Sequence, residues 1–360
     1  MSVPARSALA GALSLAFLFC FVADPPELAA RDGTGRAGSG PSASTGASAP
    51  VVALAFTPCG ERLLCGSQAG ARLLEWPALG DAGDLELDGE LGAVRDLRFS
   101  PDGRLLAVAG GSAAVRGEVR VISWPGRERV HAATSGTDLV HCVAWPPGGG
   151  TYAAASHDRA LRVHDATSGE VLRELRVHSR PVLAVVDRDG GRLLASAGDD
   201  ASIRIHEATT GAEVRVLDNH AERVTVLCVR PGPPDASGPL LASASTDGTV
   251  RFWQPAIGRL VRFARTPAKQ LALAWLPDAR HVVCAASDGR VRVVDSVSAA
   301  VVAELDGVVG WAYALAVPPA GAPGGIALGG EGGRVVRIEL DVADAGDDPG
   351  VSRENPSEKQ

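Results

Sequence analysis

Short segments with alternating apolar and polar positions follow one another along residues 51–340. In residues 139–145 (LVHCVAW) and 249–253 (TVRFW), every second side chain is apolar, which is the pattern of strands with one buried face. Gly, Pro and Asp turns bound these segments, and no stretch after residue 30 carries a helical stripe. The pattern therefore predicts an all-β fold.

The segments recur with a period of about 43 residues. The clearest copy is LASASTDGTVRFW at residues 241–253, and a weaker copy is LASAGDDASIRIH at 194–206. A second anchor keeps the same register, namely the residue at which an apolar strand gives way to a Pro, Asp or Gly turn. It occurs seven times, at Phe56, Phe99, Trp145, Val186, Val229, Trp275 and Val317.

A period of this length indicates an array of one supersecondary unit. Four short strands fill one period, which is the content of a propeller blade. One blade cannot bury both of its faces, but seven blades stacked in a ring can, and closing the ring protects most strand edges. We therefore predict a single seven-bladed β-propeller of four-stranded antiparallel blades over residues 51–340. The strand that completes blade seven comes either from 341–345 or from the segment before Val51.

Residues 51–340 resemble the WD-repeat β-propeller family, and blade five carries the resemblance best. The resemblance implies a buried hydrogen-bonded tetrad made of His220, Ser243, Asp247 and Trp253. A buried imidazole needs partners, which the serine and the aspartate can supply, while the indole can only donate. The terminal Trp-Asp dipeptide of the family is nowhere intact, so the chain is expected to be a divergent, bacterial-type exported member.

Other blades keep less of this set. Blade four has His206 in place of the tryptophan, blade three has His164, and blade six has Val294. The other three positions of blade four are filled as in blade five, by His178, Ser196 and Asp200. Blades one, two and seven lack most of the tetrad, so the resemblance fades toward both ends.

The resemblance also implies a binding face, the rim of the central channel that holds the tight-turn aspartate. Carried over by register, this prediction places nine residues there, Arg95, His141, His157, Asp199, Arg223, Thr246, Trp311, Tyr313 and Glu331, together with Leu139 and Thr225. Aromatic side chains and arginine are the commonest interface anchors. Trp311 and Tyr313 therefore stand out, because only 4% of the chain is aromatic.

Three residue groups have the composition of active sites but fall within the repeat register. The His-Asp pairs at 157–158 and 164–165 contain metal-binding residue types, and Ser243 with His220 and Asp247 contains those of a hydrolytic triad. The glycine-rich run 329–333 lacks the following Lys-Ser or Lys-Thr that holds a phosphate. Because the repeat explains all three groups, we expect no catalytic residue, no metal and no cofactor.

The formal charge of −7 places most of its excess at the C-terminus, where six acidic residues face two basic ones in 341–360. This segment has few apolar residues, so we predict a disordered acidic tail. No basic stripe with interleaved aromatic residues occurs, which disfavours nucleic acid as a ligand.

The N-terminus carries an apolar run at residues 8–23 that suits a signal-peptide core and is short for a membrane span. We expect residues 1–30 to be a leader, either cleaved or retained as a membrane anchor, unless the start is misassigned. The Gly/Ser/Ala-rich residues 31–50 are predicted to be a flexible linker. These segments favour export, to a periplasm or cell envelope, over the cytoplasm, whereas the six cysteines form no motif that fixes the compartment.

These observations favour a non-enzymatic scaffold that binds a peptide or protein on the channel rim, acting as a monomer within a larger complex. We expect contact with a membrane only through an uncleaved leader. The alternative is an accessory or substrate-platform subunit of an exported enzyme or redox complex. The identity of the partner lies beyond the sequence, because one chain offers no variation to read.

Overall fold

The fold is described from a computed structural model of the chain, which describes residues 49–87, 89, 91–232, 241–322 and 324–340. These residues form 27 strands and one turn of 3-10 helix, Glu331–Gly333. Within these ranges no helix is long and apolar enough to cross a membrane. The predicted leader, most of the predicted linker and the predicted acidic tail lie outside the described residues.

The strands form seven antiparallel sheets, each built from consecutive strands. Blade one is β1–β4, Ala53–Phe56, Arg62–Ser67, Gly70–Glu75 and Asp81–Leu85. Blade two is β5–β8, Ala93–Phe99, Leu105–Ser112, Arg116–Ser123 and Arg129–Thr134. Blade three is β9–β12, Val140–Ala144, Thr151–Ser156, Leu161–Asp165 and Val171–Leu175. Blade four is β13–β16, Val182–Arg188, Leu193–Gly198, Ile203–Glu207 and Glu213–Leu217.

Blade five is β17–β20, Val224–Val229, Leu241–Ser245, Thr249–Gln254 and Arg259–Arg265. Blade six is β21–β24, Gln270–Trp275, His281–Ala286, Val291–Asp295 and Val301–Leu305. Blade seven is β25–β27, Ala312–Ala316, Ile326–Gly330 and Val335–Ile338. Six blades thus have four strands and the seventh has three among the described residues. Both predicted sources of its fourth strand, 341–345 and the segment before Val51, lie almost wholly outside those residues.

The first strand of each blade is the innermost one, and these seven strands form a closed ring. Each first strand packs against the first strand of the next blade, and β25 packs against β1. The Val51 N–H donates to the Gly330 carbonyl at 3.1 Å, which links blade seven to the start of blade one. The predicted all-β, seven-bladed propeller is confirmed.

The hydrophobic core lies between neighbouring blades. One cluster joins Leu64 and Leu73 of blade one to Val94 and Leu97 of blade two, all of them almost fully buried. Such interfaces exist only when two blades are adjacent, so each blade depends on its neighbours for burial.

Two tryptophans add directed contacts between neighbouring blades. Trp145 Nε1 donates to the Arg98 carbonyl of the preceding blade at 3.2 Å. Trp275 Nε1 donates to the Cys228 carbonyl of its preceding blade at 3.3 Å. The two residues occupy the same repeat position three blades apart, so the ring uses the same tie twice.

One anchor of the sequence register is displaced by one residue in blade four. Asp187 pairs with Leu194 as Phe99 pairs with Leu106 in blade two, so Asp187 and not Val186 is the equivalent of Trp145. The prediction of Val186 was wrong because an apolar residue directly precedes the true anchor. Burial raises the pKa of Asp187 to about 6, consistent with a carboxyl in a position otherwise filled by apolar or aromatic side chains.

Candidate functional site: the rim of the central channel

The innermost strands of blades two to seven carry a β-bulge at the same place. In blade two the pairing jumps from Val94 to Asp96, which leaves Arg95 out of the ladder. In blade seven it jumps from Ala312 to Ala314, which leaves out Tyr313. The six residues left out form what we call the collar: Arg95, His141, Leu183, Thr225, Leu271 and Tyr313.

The collar lines the channel. All six collar residues are half-buried, whereas the residue before each of them is buried. Because their strands are the innermost of the ring, the solvent that they meet is that of the channel. A bulge bends a strand and re-aims the extra side chain, which explains how one position in each blade is presented at the same level.

A second level is fixed by one backbone hydrogen bond that recurs from blade three to blade seven. The N–H of the residue after the second strand donates to the carbonyl two residues before the collar. The donor–acceptor pairs, at 2.8 to 3.1 Å, are His157 and Leu139, Asp199 and Pro181, Thr246 and Arg223, Ser287 and Lys269, and Glu331 and Trp311. We call the collar and these pairs together the rim. The nine residues predicted for the binding face all lie on these repeating positions.

The rim residues of blades two and three form one group. His141 Nε2 and His157 Nδ1 lie 2.9 Å apart. Burial within the channel wall lowers the pKa of His141 to about 3, and the nearby Arg95 and His157 lower it further in the same direction. Burial also lowers the pKa of Arg95. This group therefore contains a cation and an imidazole that stays neutral near pH 7.

The rim residues of blades four and five form a second group around Asp199. Arg223 Nε lies 2.9 Å from one carboxylate oxygen and Arg180 lies 3.4 Å from the other. Thr246 joins the group through the hydrogen bond from its N–H to the Arg223 carbonyl. Both arginines are largely exposed, so each pair contributes little to stability and the group remains open to a partner.

Blade seven supplies the aromatic group. The rings of Trp311 and Tyr313 lie 5.9 Å apart at an angle of 44°. The Tyr313 hydroxyl lies 3.5 Å from a carboxylate oxygen of Glu331. Trp311 is 39% exposed, an unusual value for a residue with so much apolar surface. The three residues predicted from this blade therefore lie together.

Sequence reasoning missed five rim residues: Pro181, Leu183, Lys269, Leu271 and Ser287. Lys269 and Ser287 stand at the same offsets as Arg223 and Thr246 and could have been found by counting from the anchors. The two leucines gave no signal, because an apolar residue in a strand is first assigned to the core.

The predicted tetrad of blade five does not face the solvent at the rim. His220 Nδ1 lies 2.9 Å from Asp247 and His220 Nε2 lies 2.7 Å from the Ser243 hydroxyl. Trp253 Nε1 donates to the same hydroxyl at 2.8 Å. Burial lowers the pKa of His220 to about 4, which keeps the imidazole neutral. Ser243 and Trp253 are wholly buried, so this hydroxyl does not face a space where substrate could bind.

Blade three uses the same residue types in a different order. His164, at the tryptophan position, places Nε2 2.9 Å from the Ser135 hydroxyl and Nδ1 3.0 Å from the Gly169 carbonyl. Asp158 forms an ion pair with Arg162, with Asp158 Oδ2 lying 2.8 Å from Arg162 Nη2. The His-Asp pairs of this blade are thus occupied by hydrogen bonds within the protein. Across the described ranges, no group of three or more His, Cys, Asp or Glu residues is placed to hold a metal ion.

A cavity lies at the opposite end of the channel. A cavity of about 1340 Å³ is lined by the far ends of the innermost strands and the turns that follow them, including Arg98, Phe99 and Trp145. None of the nine predicted rim residues lines it. The collar and this cavity are therefore separate surfaces.

Comparison with known proteins agrees with this architecture. The model of the family "WD domain, G-beta repeat" matches residues 85–116, 128–165, 169–207, 211–254 and 266–295. The chain is also 30% identical over 153 residues to WD repeat-containing protein VIP3 of Arabidopsis thaliana, a match that covers 40% of this chain and about half, 47%, of that relative. The five repeats span blades two to six, and together they cover about half of the chain. This chain therefore belongs to the WD-repeat family.

Proposed function

We propose that the protein is a non-enzymatic interaction scaffold that binds a peptide or protein partner on the rim. WD-repeat propellers generally bind proteins and are generally non-enzymatic, which supports the scaffold role. The observation that carries the choice of surface is the recurring bulge, which presents one side chain from each of blades two to seven to the channel without a pairing role in the strand.

The blade-seven group is the proposed anchor. Trp311 and Tyr313 offer large, rigid aromatic surface beside a carboxylate, and aromatic side chains dominate the energetics of many interfaces. The Asp199 group and the His141–His157 pair lie on other blades of the same rim, where they supply polar contacts. An apolar centre with polar groups around it is the usual composition of a protein-binding surface.

The test is capture of partners from an extract of the cells that make the protein. We expect the double variant Trp311→Ala/Tyr313→Ala to lose the proteins that the wild type retains. The matched control is Phe263→Ala, which removes an exposed aromatic ring from an outermost strand, away from the rim. An unchanged set of captured proteins in the double variant, with its thermal unfolding midpoint preserved, would exclude the rim as the binding surface.

Export remains a prediction from residues 1–30, outside the described part of the chain. Determining the mass of the mature N-terminus tests it, because cleavage of the leader removes a defined segment. No observation on the described residues favours the alternative of an enzyme or redox accessory.

A further inference from the structure

The collar contains a single charged side chain, that of Arg95. The other five collar residues are one imidazole, one phenol, one hydroxyl and two leucines, so no carboxylate belongs to the collar. Arginine 98, three residues further along the same strand, lies 3.2 Å from Asp96. The Arg95 guanidinium, by contrast, has no carboxylate within ion-pair distance among the described residues.

An unpaired cation in a partly desolvated place is unfavourable. Arg95 is half-buried at the channel wall, where its surroundings favour the uncharged form, although an arginine keeps its charge in practice. No described residue therefore supplies a counter-ion for this charged group. A partner that brings a negative charge gains a charge-assisted hydrogen bond in water-poor surroundings.

The two histidines beside Arg95 add one donor. Each imidazole carries at least one N–H group, and one N–H of the pair lies in the 2.9 Å contact between His141 Nε2 and His157 Nδ1. The second N–H then sits on one of the two outer ring nitrogens, whichever tautomers are present. It is available to an acceptor that approaches from the channel.

We infer that Arg95 and the His141–His157 pair form a binding site for a single carboxylate, the Asp or Glu side chain of a peptide that enters the collar. This inference rests on the proposed function and names the chemistry of its partner. One guanidinium beside the neutral His141 imidazole matches a single negative charge, whereas a phosphate dianion is usually held by several cations. The two collar leucines, on blades four and six, suit an apolar residue next to the acidic one.

Binding of short labelled peptides tests the assignment. The probe is fluorescein-labelled Gly-Ser-Ala-Glu-Ala-Ser-Gly with a blocked C-terminus, and its matched partner carries Gln in place of Glu. With the full chain, we expect the Glu peptide to bind about ten-fold tighter than the Gln peptide in fluorescence anisotropy. The Arg95→Gln variant should bring this ratio close to one, and Arg95→Lys should give an intermediate ratio, because a lysine keeps the charge but loses the fork.

The control variant is Arg262→Gln, which removes an exposed arginine from an outermost strand and should leave the ratio unchanged. Equal binding of the Glu and Gln peptides by the wild type up to millimolar concentrations would overturn the inference. So would a ratio that persists in Arg95→Gln, or tighter binding of a phosphoserine peptide than of the Glu peptide. If Trp311→Ala/Tyr313→Ala loses its partners but the Glu preference is absent, the rim function stands and only the carboxylate site fails.

Discussion

Blades four and five share three of their four buried polar positions and differ at the last. His178 contacts Asp200 at 3.0 Å and the Ser196 hydroxyl at 2.9 Å, as His220 contacts Asp247 and Ser243 in blade five. In blade five, Trp253 completes the set by donating to the serine hydroxyl. In blade four, His206 takes that place, and neither of its buried ring nitrogens has a hydrogen-bond partner among the described residues.

The difference shows that the tetrad is not indivisible. Blade four pairs its strands in the same register as blade five, although its fourth residue leaves two polar atoms unsatisfied. The histidine–aspartate–serine contacts therefore survive without the indole. The indole contributes apolar volume and one further hydrogen bond. Variants at positions 206 and 253 measure how much each contribution adds to the free energy of unfolding.

The largest expected effect is that of Trp253→Ala. Trp253 is wholly buried and packs against apolar residues of blades four and five. We expect the free energy of unfolding to fall by about 3–5 kcal/mol in urea denaturation, since an unfilled cavity replaces the indole. His206→Ala serves as the matched change and should cost clearly less, because it removes a smaller ring together with two unsatisfied nitrogens. An equal loss in both variants would contradict the comparison.

Acid should destabilise the protein through its buried histidines. Burial lowers the pKa of His206 and of His220 to about 4, below the ordinary value of 6.5. Between these values the unfolded chain binds protons that the folded chain does not, so the stabilisation is complete above the ordinary pKa and is lost as the pH falls to the folded one. The loss is on the order of 3 kcal/mol per histidine at most. Urea denaturation of the wild type and of His206→Phe between these pH values measures the loss. If the free energy of unfolding changed with pH by the same slope in both proteins, His206 would have no part in it.

The two serines provide a finer comparison. The Ser243 hydroxyl contacts His220 Nε2 and accepts from Trp253 Nε1. In the described part of the chain, the Ser196 hydroxyl contacts only His178 Nε2. Ser243→Ala strands two buried groups and should cost about 2 kcal/mol, while Ser196→Ala strands one and should cost about 1 kcal/mol. Thermal and urea unfolding of both variants checks the order. A larger loss from Ser196→Ala would mean that the two networks are not comparable.

The smallest expected effect has the opposite sign. His206→Phe keeps a ring of similar size but removes both unsatisfied nitrogens, so we expect a gain of about 1 kcal/mol near neutral pH. Calorimetry of the unfolding transition measures this gain. A loss of stability would show that the His206 nitrogens have a role that their surroundings in blade four do not reveal.

The fold and the blade-five tetrad could be predicted from the sequence, because both leave direct traces in the residue pattern. Period-two alternation, turn residues and a constant repeat length each depend on the blade architecture, and His220, Ser243, Asp247 and Trp253 are recognisable as side chains. The hydroxyl that His164 contacts, Ser135, was not foreseen, because it lies outside the repeat pattern.

The bulges show where sequence reasoning stops. A bulge adds one residue to one strand without changing its composition, so nothing in the segment around Leu183 distinguishes it from a regular strand. The anchor of blade four was placed at Val186 instead of Asp187 because an apolar residue directly precedes the true anchor. Arg95, His141 and Tyr313 were placed on the rim by repeat register, and a leucine occupies the same position in blades four and six.

The recurring bulge also bears on how such a protein changes over generations. A collar residue forms no rung of the strand ladder, so a substitution there alters the lining of the channel while leaving strand pairing as it was. Thr225 differs from the others in that its hydroxyl also donates to the Gln270 carbonyl of blade six at 2.9 Å. Most mutations that change a binding surface also lower stability. Here, successive mutations can change the channel lining one blade at a time. The binding specificity of the propeller can thus change during evolution with little loss of stability of the ring itself.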